Sequence, residues 1–245
     1  MNTAQSDFLQ RNQLPDNYLE QAQKNYKSVL GNFAQQHLKG HSKTRIIAIN
    51  GSQGSGKSTA ADYLCTVIAE QHNITTVALS LDDFYLTKAE RLKLAQDVHP
   101  LPATRGVPGT HDIDLAIATI NSLIAAESPT LVTRFDKSSD DRFPAQQCET
   151  ISGPVGLIVL EGWCMGARAQ KQTELSDPVN QLEDTEDSNG VWRNYVNNAL
   201  AGDYQRLFSM ADTLCMLRAP SFDTIYKWRL EQESKMARPL MNETE

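Results

Sequence analysis

The sequence predicts an α/β fold in which a mostly parallel sheet is covered by helices on both faces. Short apolar segments of strand length alternate with longer segments of helical periodicity, beginning with a strand at 45–50 and a helix at 58–69. The runs at 157–160 and 213–217 are apolar without the alternation of a half-exposed strand. Such runs are typical of parallel strands that are covered on both sides.

The remaining segments continue this alternation. Apolar residues at helical spacing predict one amphipathic helix over 14–39. Further strands are predicted at 74–81 and 130–134, and further helices at 112–126, 191–208 and 221–236. The segment 176–190 carries five acidic residues in fifteen, with Pro and Gly, and predicts a solvated or disordered loop without chemistry.

Composition narrows the class of protein. Of the 245 residues, 40% are hydrophobic and 22% are charged, which is ordinary for a folded globular chain. The formal net charge of −7 disfavours nucleic acid or a membrane surface as a partner. No secretory signal or bilayer-length apolar segment is visible, so we expect a cytoplasmic protein whose four scattered cysteines are reduced thiols.

A phosphate-binding motif lies between the first strand and the following helix. It reads Gly51-Ser52-Gln53-Gly54-Ser55-Gly56-Lys57-Ser58 and is followed by Thr59. Backbone N–H groups of such a loop and the helix N-terminus hold nucleotide phosphates. We expect Lys57 to reach the β- and γ-phosphates, Ser58 to bind Mg²⁺ and Thr59 to contact the α-phosphate of ATP. In this context the fold is predicted to be the three-layer sandwich of the P-loop NTPases.

Three carboxylates follow predicted strands. Asp82 and Asp83 come directly after the strand at 74–81, where a carboxylate can accept the proton of an attacking hydroxyl or hold Mg²⁺ through water. The residues alone do not choose between the two, and either could instead cap the next helix. Glu161 directly follows the apolar run 157–160, the position of a second acidic group near the metal.

Two segments collect charges that suit an anionic acceptor. The loop 105–112, RGVPGTHD, brings together Arg105 and His111, and a guanidinium pairs well with a carboxylate. The alternative is a structural turn in which His111 and Asp112 cap the next helix. After the strand at 130–134, the segment FDKSSDDR carries Asp136, Lys137 and Arg142, for which a solvated surface is an equal alternative.

The chain resembles the D-glycerate 3-kinase family, within the P-loop kinases that include phosphoribulokinase, uridine kinase and pantothenate kinase. The matching segments are GSQGSGKST (51–59), SLDDFYLT (80–87), RGVPGTHD (105–112), FDKSSDDR (135–142), LEGWCMG (160–166) and APSFDTIYKWRLEQE (219–233). The resemblance implies that Asp82 is the base with Asp83 in support, that Glu161 contacts Mg²⁺ and substrate, and that Arg229 belongs to a lid over the transferring phosphoryl group. It also implies acceptor or phosphate contacts for the remaining candidates, Tyr85, Arg105, His111, Lys137 and Arg142.

These observations predict a kinase that transfers the γ-phosphoryl group of ATP to a hydroxyl of a small, anionic metabolite, with D-glycerate as the leading acceptor. The alternatives are a kinase of nucleoside or pantothenate type, or a nucleotide-dependent ATPase switch without an acceptor. We expect an N-terminal helical segment, 1–42, packed on a P-loop kinase domain, 43–245. Because the family usually continues past this point, the resemblance implies a chain that is short at its C-terminus.

Overall fold

The computed structural model describes residues 2–38, 43–228 and 230. The helices are α1 (Thr3–Arg11), α2 (Tyr18–Asn25), α3 (Lys27–Leu38), α4 (Lys57–His72), α5 (Lys88–Asp97), α6 (Ile113–Ala125), α7 (Gln181–Glu186), α8 (Val191–Ala201) and α9 (Asp203–Phe208). The strands are β1 (Arg45–Gly51), β2 (Thr75–Ser80), β3 (Thr130–Val132), β4 (Phe135–Asp136), β5 (Asp141–Arg142), β6 (Glu149–Ile151), β7 (Val155–Gly162) and β8 (Thr213–Leu217). No helix of the described residues has the length and apolar character needed to cross a membrane.

The main sheet has four strands in the order β2-β7-β1-β8. β1 pairs in parallel with β7 on one side and with β8 on the other, with Ile47 opposite Val159 and Thr213. The β-branched side chains of β1 suit a pleated strand with neighbours on both sides. The predicted α/β class and the mostly parallel sheet are therefore confirmed.

The chain divides into two compact units. Unit 1 comprises Met1–Ala78, Gly156–Met165 and Thr213–Glu245, and unit 2 comprises Leu79–Val155 and Gly166–Asp212. The core of unit 1 contains apolar residues of the N-terminal helices, α4, β1 and β7, among which Phe8, Leu64 and Leu157 are completely buried. Burying each such side chain stabilises the fold by roughly 1.5–3 kcal/mol.

A buried arginine joins separate segments of unit 2. Arg91 of α5 is fully buried and donates to the carbonyl oxygens of Leu86 and Asp140 at 2.6 and 2.9 Å. Its guanidinium also forms an ion pair with the Asp140 carboxylate at 2.6 Å. A buried cation needs such neutralisation, since an unpaired charge in the interior is strongly destabilising. These contacts fix the segment before α5 to the loop between β4 and β5.

Several sequence predictions require correction at element boundaries. The helix predicted over 14–39 is two helices that meet at Tyr26, and α1 precedes them. The helix predicted over 191–208 is interrupted at Gly202, whose φ of −101° and ψ of −104° are not helical. Helical periodicity persists across such breaks because the same face stays buried, so the pattern alone does not reveal them.

Three further expectations were wrong in detail. The strand predicted at 130–134 is β3, which pairs antiparallel with β6 in a separate two-stranded sheet. The acidic segment 176–190 contains α7 and a buried Asp187, whose carboxylate accepts from the buried Arg193 at 3.1 Å. In β8, which was expected to be covered on both faces, Leu214 is 51% exposed.

Candidate active site

The loop between β1 and α4 has the backbone conformation that phosphate binding needs. Gly54 and Gly56 have φ of +75° and +84°, in the left-handed region that favours glycine. At Gly51 a Cβ atom would lie 2.6 Å from Ser55 Oγ and 3.1 Å from Leu217 Cβ, so only glycine fits without a shift. The loop closes with a hydrogen bond from Ser55 N–H to the Ser52 carbonyl oxygen at 3.2 Å.

Polar groups of this loop fit a phosphate. The hydroxyl oxygens of Ser52 and Ser55 are buried and have no hydrogen-bond partner among the residues that the structure describes. A buried unsatisfied hydroxyl is costly, and a bound phosphate oxygen is a partner that satisfies it. The Lys57 ammonium donates to the Ser52 carbonyl oxygen at 2.9 Å, Gln53 is exposed and Thr59 is half-buried in the first turn of α4.

The structure brings Ser58 and Glu161 together within unit 1. Ser58 Oγ donates to Glu161 Oε1 at 2.8 Å, although the two residues are 103 positions apart. Glu161 lies near the end of β7, directly before Gly162, and is only 7% exposed. A hydroxyl and a carboxylate are oxygen ligands of the kind that Mg²⁺ takes in proteins, so this pair fits the metal of a P-loop protein.

In unit 2 the neighbouring carboxylates Asp82 and Asp83 have different partners. They lie in the 3₁₀ turn Leu81–Phe84, which is capped by Ser80, so neither caps a helix. Asp83 forms an ion pair with Arg134 at 2.8 Å and accepts from the backbone N–H of Phe135 at 3.3 Å. It therefore anchors β4, and its side chain is 15% exposed.

Asp82 remains more accessible than its neighbour. Its carboxylate pairs with Lys137 at 2.8 Å, and its side chain is 31% exposed. Burial on its own raises the pKa of Asp82, but the hydrogen bond and the charge of Lys137 and a hydrogen bond from Tyr85 outweigh it, so the pKa lies below its ordinary value. Asp82 is thus ionised at neutral pH and can accept a proton or orient a hydroxyl.

His111 lies in a buried aromatic cluster. Its ring stacks on that of Tyr85, with centroids 4.2 Å apart, and its Nδ1 is 2.5 Å from the Tyr204 hydroxyl oxygen. Burial lowers the pKa of His111 to about 3, against the opposing charge of Asp82. The imidazole is therefore neutral at physiological pH. The cap of α6 is Asp112, which accepts from Leu115 N–H at 2.9 Å.

The other acceptor candidates are engaged in ion pairs. Arg105 pairs with Asp140, which also pairs with Arg91, and the Arg105 guanidinium lies 5.5 Å from the centre of the Phe135 ring. Arg142 donates to the Tyr85 carbonyl oxygen at 2.9 Å and to Asp112 at 3.0 Å. Both arginines thus stabilise the loops that carry Tyr85 and His111. Their roles as direct acceptor ligands stay predictions.

The glycine-rich loop at 105–112 is held by two tyrosines that sequence reasoning missed. Tyr195 of α8 donates to the Gly109 carbonyl oxygen at 2.7 Å, and Tyr204 of α9 accepts from the Gly109 N–H at 3.0 Å. In the sequence, both tyrosines lie in a segment of helical periodicity. This position does not distinguish them from tyrosines that only fill a core. Arg229, the predicted lid arginine, lies outside the described residues.

A glycine loop between a parallel strand and a helix, with a hydroxyl and a carboxylate beside it, defines a P-loop nucleotide-binding protein. The chain is 33% identical over 215 residues to the fission yeast protein named uncharacterized kinase mug58, covering 82% of this chain and 74% of that one. It therefore belongs to the family of P-loop kinases that includes D-glycerate 3-kinase and related uncharacterized kinases. No family model matches the chain.

Other relatives agree with this assignment. The chloroplastic D-glycerate 3-kinase of Arabidopsis thaliana is 27% identical over 203 residues, which cover 78% of this chain and 41% of the plant protein. The probable ATP-dependent kinase TDA10 of Saccharomyces cerevisiae is 28% identical, covering 78% and 68%. The family assignment makes the protein a kinase that uses ATP.

Solved structures show the same fold. The structure of the YGR205w protein superposes with a TM-score of 0.70 and 26% identity, covering 89% of this chain and 77% of that one. A D-glycerate 3-kinase from Cryptococcus neoformans var. grubii gives a TM-score of 0.73 at 22% identity, covering 89% and 80%. The predicted three-layer P-loop fold is confirmed.

Proposed function

We propose that the protein transfers the γ-phosphoryl group of ATP to a hydroxyl group of D-glycerate, with Mg²⁺ as the metal. The proposal depends on one observation: the carboxylates of Asp82 and Asp83 differ in their partners and in their exposure to solvent. Asp83 is bound to Arg134 and to the backbone of β4, whereas Asp82 is ionised, partly exposed and bonded to the side chains of Lys137 and Tyr85. An accessible carboxylate of this kind is what the attacking hydroxyl needs.

In the proposed reaction, one group of residues binds ATP and the metal, and Asp82 accepts the proton of the substrate hydroxyl. The loop 51–59 binds the phosphates of ATP, and Lys57 neutralises charge on the β- and γ-phosphates. Ser58 and Glu161 would hold Mg²⁺, which supplies further neutralisation of the phosphate oxygens when bound. The substrate hydroxyl forms the new O–P bond and gives its proton to Asp82, while the bond from the γ-phosphorus to the bridging oxygen breaks and ADP leaves.

The acceptor is assigned to residues of unit 2. Tyr85 and His111 lie beside Asp82, and Lys137 supplies a cation 2.8 Å from the Asp82 carboxylate that can also pair with the carboxylate of an acid substrate. Arg105 and Arg142 support the surrounding loops, and we propose Arg229, which lies outside the described residues, as the arginine that neutralises charge on the transferring group. A small anionic acceptor agrees with the name of the Arabidopsis thaliana relative, D-glycerate 3-kinase. We also propose a cytoplasmic location and no nucleic-acid partner, which the net charge of −7 favours.

An acceptor panel tests the proposal. ADP release from ATP is measured with D-glycerate, uridine, pantothenate or no acceptor. We expect D-glycerate alone to raise the rate well above the background. Stimulation by uridine or pantothenate instead would reassign the acceptor, and equal rates in all four reactions would favour an ATPase switch.

A further inference from the structure

One ring nitrogen of His111 forms a hydrogen bond within the described structure, and the other ring nitrogen does not. Nδ1 is bonded to the Tyr204 hydroxyl, but Nε2 is buried and has no hydrogen-bond partner among the residues that the structure describes. The whole residue is only 5% exposed. Buried polar atoms are rarely left unsatisfied in folded proteins, so an unpartnered ring nitrogen indicates a ligand atom.

The surroundings of Tyr204 favour one tautomer of His111. The Gly109 N–H can only donate, so it occupies a lone pair of the Tyr204 oxygen. Accepting this hydrogen bond polarises the phenol and makes its O–H a better donor. A phenol O–H is a stronger donor than a neutral imidazole N–H, which favours donation from Tyr204 to Nδ1. The ring, which burial keeps neutral, then carries its own proton on Nε2.

The unpartnered Nε2 belongs to the same cluster as the proposed base. His111 stacks on Tyr85, and the side chain of Tyr85 is hydrogen-bonded to Asp82. The negative charge of Asp82 disfavours a second anionic group at this point but suits an alcohol, which can donate to a carboxylate and accept from an N–H at once. A hydroxyl oxygen is therefore the ligand atom whose chemistry suits both groups.

We propose that His111, held by Tyr204 in the tautomer with its proton on Nε2, donates a hydrogen bond to a hydroxyl oxygen of the acceptor substrate, with Tyr204 as the positioning residue. This inference rests on the proposed function and adds to it a specific recognition of alcohols. A neutral donor leaves the proton of the hydroxyl to Asp82, whereas a charged imidazolium would compete with Lys137 for that carboxylate.

The first test reads the tautomer without reference to activity. The ¹⁵N spectrum of the full chain, labelled at histidine, is recorded at neutral pH, and the His111 signals are assigned by their loss in His111→Gln. We expect Nδ1 to resonate as an unprotonated nitrogen and Nε2 as a protonated one. In Tyr204→Phe we expect the Nδ1 signal to shift towards a mixture of tautomers. Protonation of Nδ1 in the wild type would overturn the inference.

The second test uses two amide variants that differ in length by one methylene group. The amide nitrogen of Gln can replace Nε2, whereas the amide of Asn reaches only the position of Nδ1. We expect His111→Gln to keep acceptor-dependent kcat/KM within about tenfold of the wild type, and His111→Asn to lose a further tenfold to hundredfold, the effect of one lost substrate hydrogen bond. The KM for ATP should stay unchanged in both variants.

The outcomes separate the inference from the proposed function. If the wild type is stimulated by an acceptor but His111→Asn is as active as His111→Gln, the hydrogen bond to substrate is wrong and the kinase assignment stands. If no acceptor stimulates the wild type, the proposed function fails, whatever tautomer the ¹⁵N spectrum shows.

Discussion

The phosphate loop of unit 1 and the acceptor cluster of unit 2 are built in different ways. The loop spans nine consecutive residues and works through its backbone, so its geometry depends on glycines and on the strand and helix beside it. The acceptor cluster combines side chains from 82, 85, 111, 137 and 204, which are distant in sequence. A binding site made of backbone is general to a superfamily, whereas one made of distant side chains can differ between members.

The largest effect is expected at the lysine of the phosphate loop. Lys57→Met removes the cation that neutralises the transferring phosphoryl group, and we expect kcat to fall by about 10³-fold or more with every acceptor. Nucleotide affinity should fall as well. The exposed Lys93 of α5 offers a matched control, since Lys93→Met should leave both quantities unchanged. Activity within tenfold of the wild type in Lys57→Met would show that phosphoryl transfer does not depend on this loop.

A second prediction separates the two adjacent carboxylates. Asp82→Asn removes the proposed proton acceptor, and we expect kcat to fall by about 10²-fold with the KM for ATP nearly unchanged. Asp83→Asn instead breaks the ion pair with Arg134, so thermal unfolding should show a lower Tm with a smaller loss of kcat. The opposite pattern would transfer the role of base to Asp83.

A third prediction tests how the loop 105–112 is held. In Gly109→Ala the new Cβ would clash with Cε1 of Tyr195, at a φ of +95° that alanine rarely adopts. We expect the free energy of unfolding to drop by about 2 kcal/mol and the KM for the acceptor to rise. Gly153→Ala is the matched control because φ is +80° but no atom lies within 4 Å. It should cost about 1 kcal/mol and leave KM unchanged.

The smallest effect concerns the pH dependence of stability. The pKa of His111 is lowered to about 3 in the fold, so the unfolded chain binds a proton at mildly acidic pH that the folded chain does not. Stability should therefore fall as the pH drops below the unfolded pKa, by about 1 kcal/mol between pH 7 and pH 5.5. Urea unfolding of the wild type and of His111→Gln measures this difference. Equal slopes in the two proteins would mean that His111 is not held neutral.

The sequence predicted the phosphate loop well and the acceptor cluster only in part. Residues 51–59 form one motif between a strand and a helix, as expected, and Glu161 follows a strand that is recognisable from its apolar run. The hydrogen bond between Ser58 and Glu161 agrees with a shared metal site, whose residues stay predictions. Pairings between distant residues follow from tertiary packing, which no local pattern encodes. The Asp83–Arg134 and Arg105–Asp140 ion pairs and the contact of Tyr204 with His111 are of this kind.

The same distinction explains the errors in secondary structure. Burial decides the helical pattern, and the breaks at Tyr26 and Gly202 leave that pattern intact. The polar composition of the acidic segment 176–190 predicted a solvated or disordered loop, yet Asp187 is buried as the partner of Arg193. A sequence pattern does not reveal a buried ion pair, because the pair forms only when the fold brings its two residues together.

The central claim is that the γ-phosphoryl group of ATP is transferred to a hydroxyl group of D-glycerate and that Asp82 accepts the proton of this hydroxyl. Quantitative ³¹P NMR of a reaction with ATP and D-glycerate tests it directly, by comparing the wild type with Asp82→Asn. The account predicts one equivalent of phosphorylated glycerate for each ADP in the wild type and almost none in the variant. ADP formed with inorganic phosphate and no phosphorylated acid, or equal product from both proteins, would contradict it.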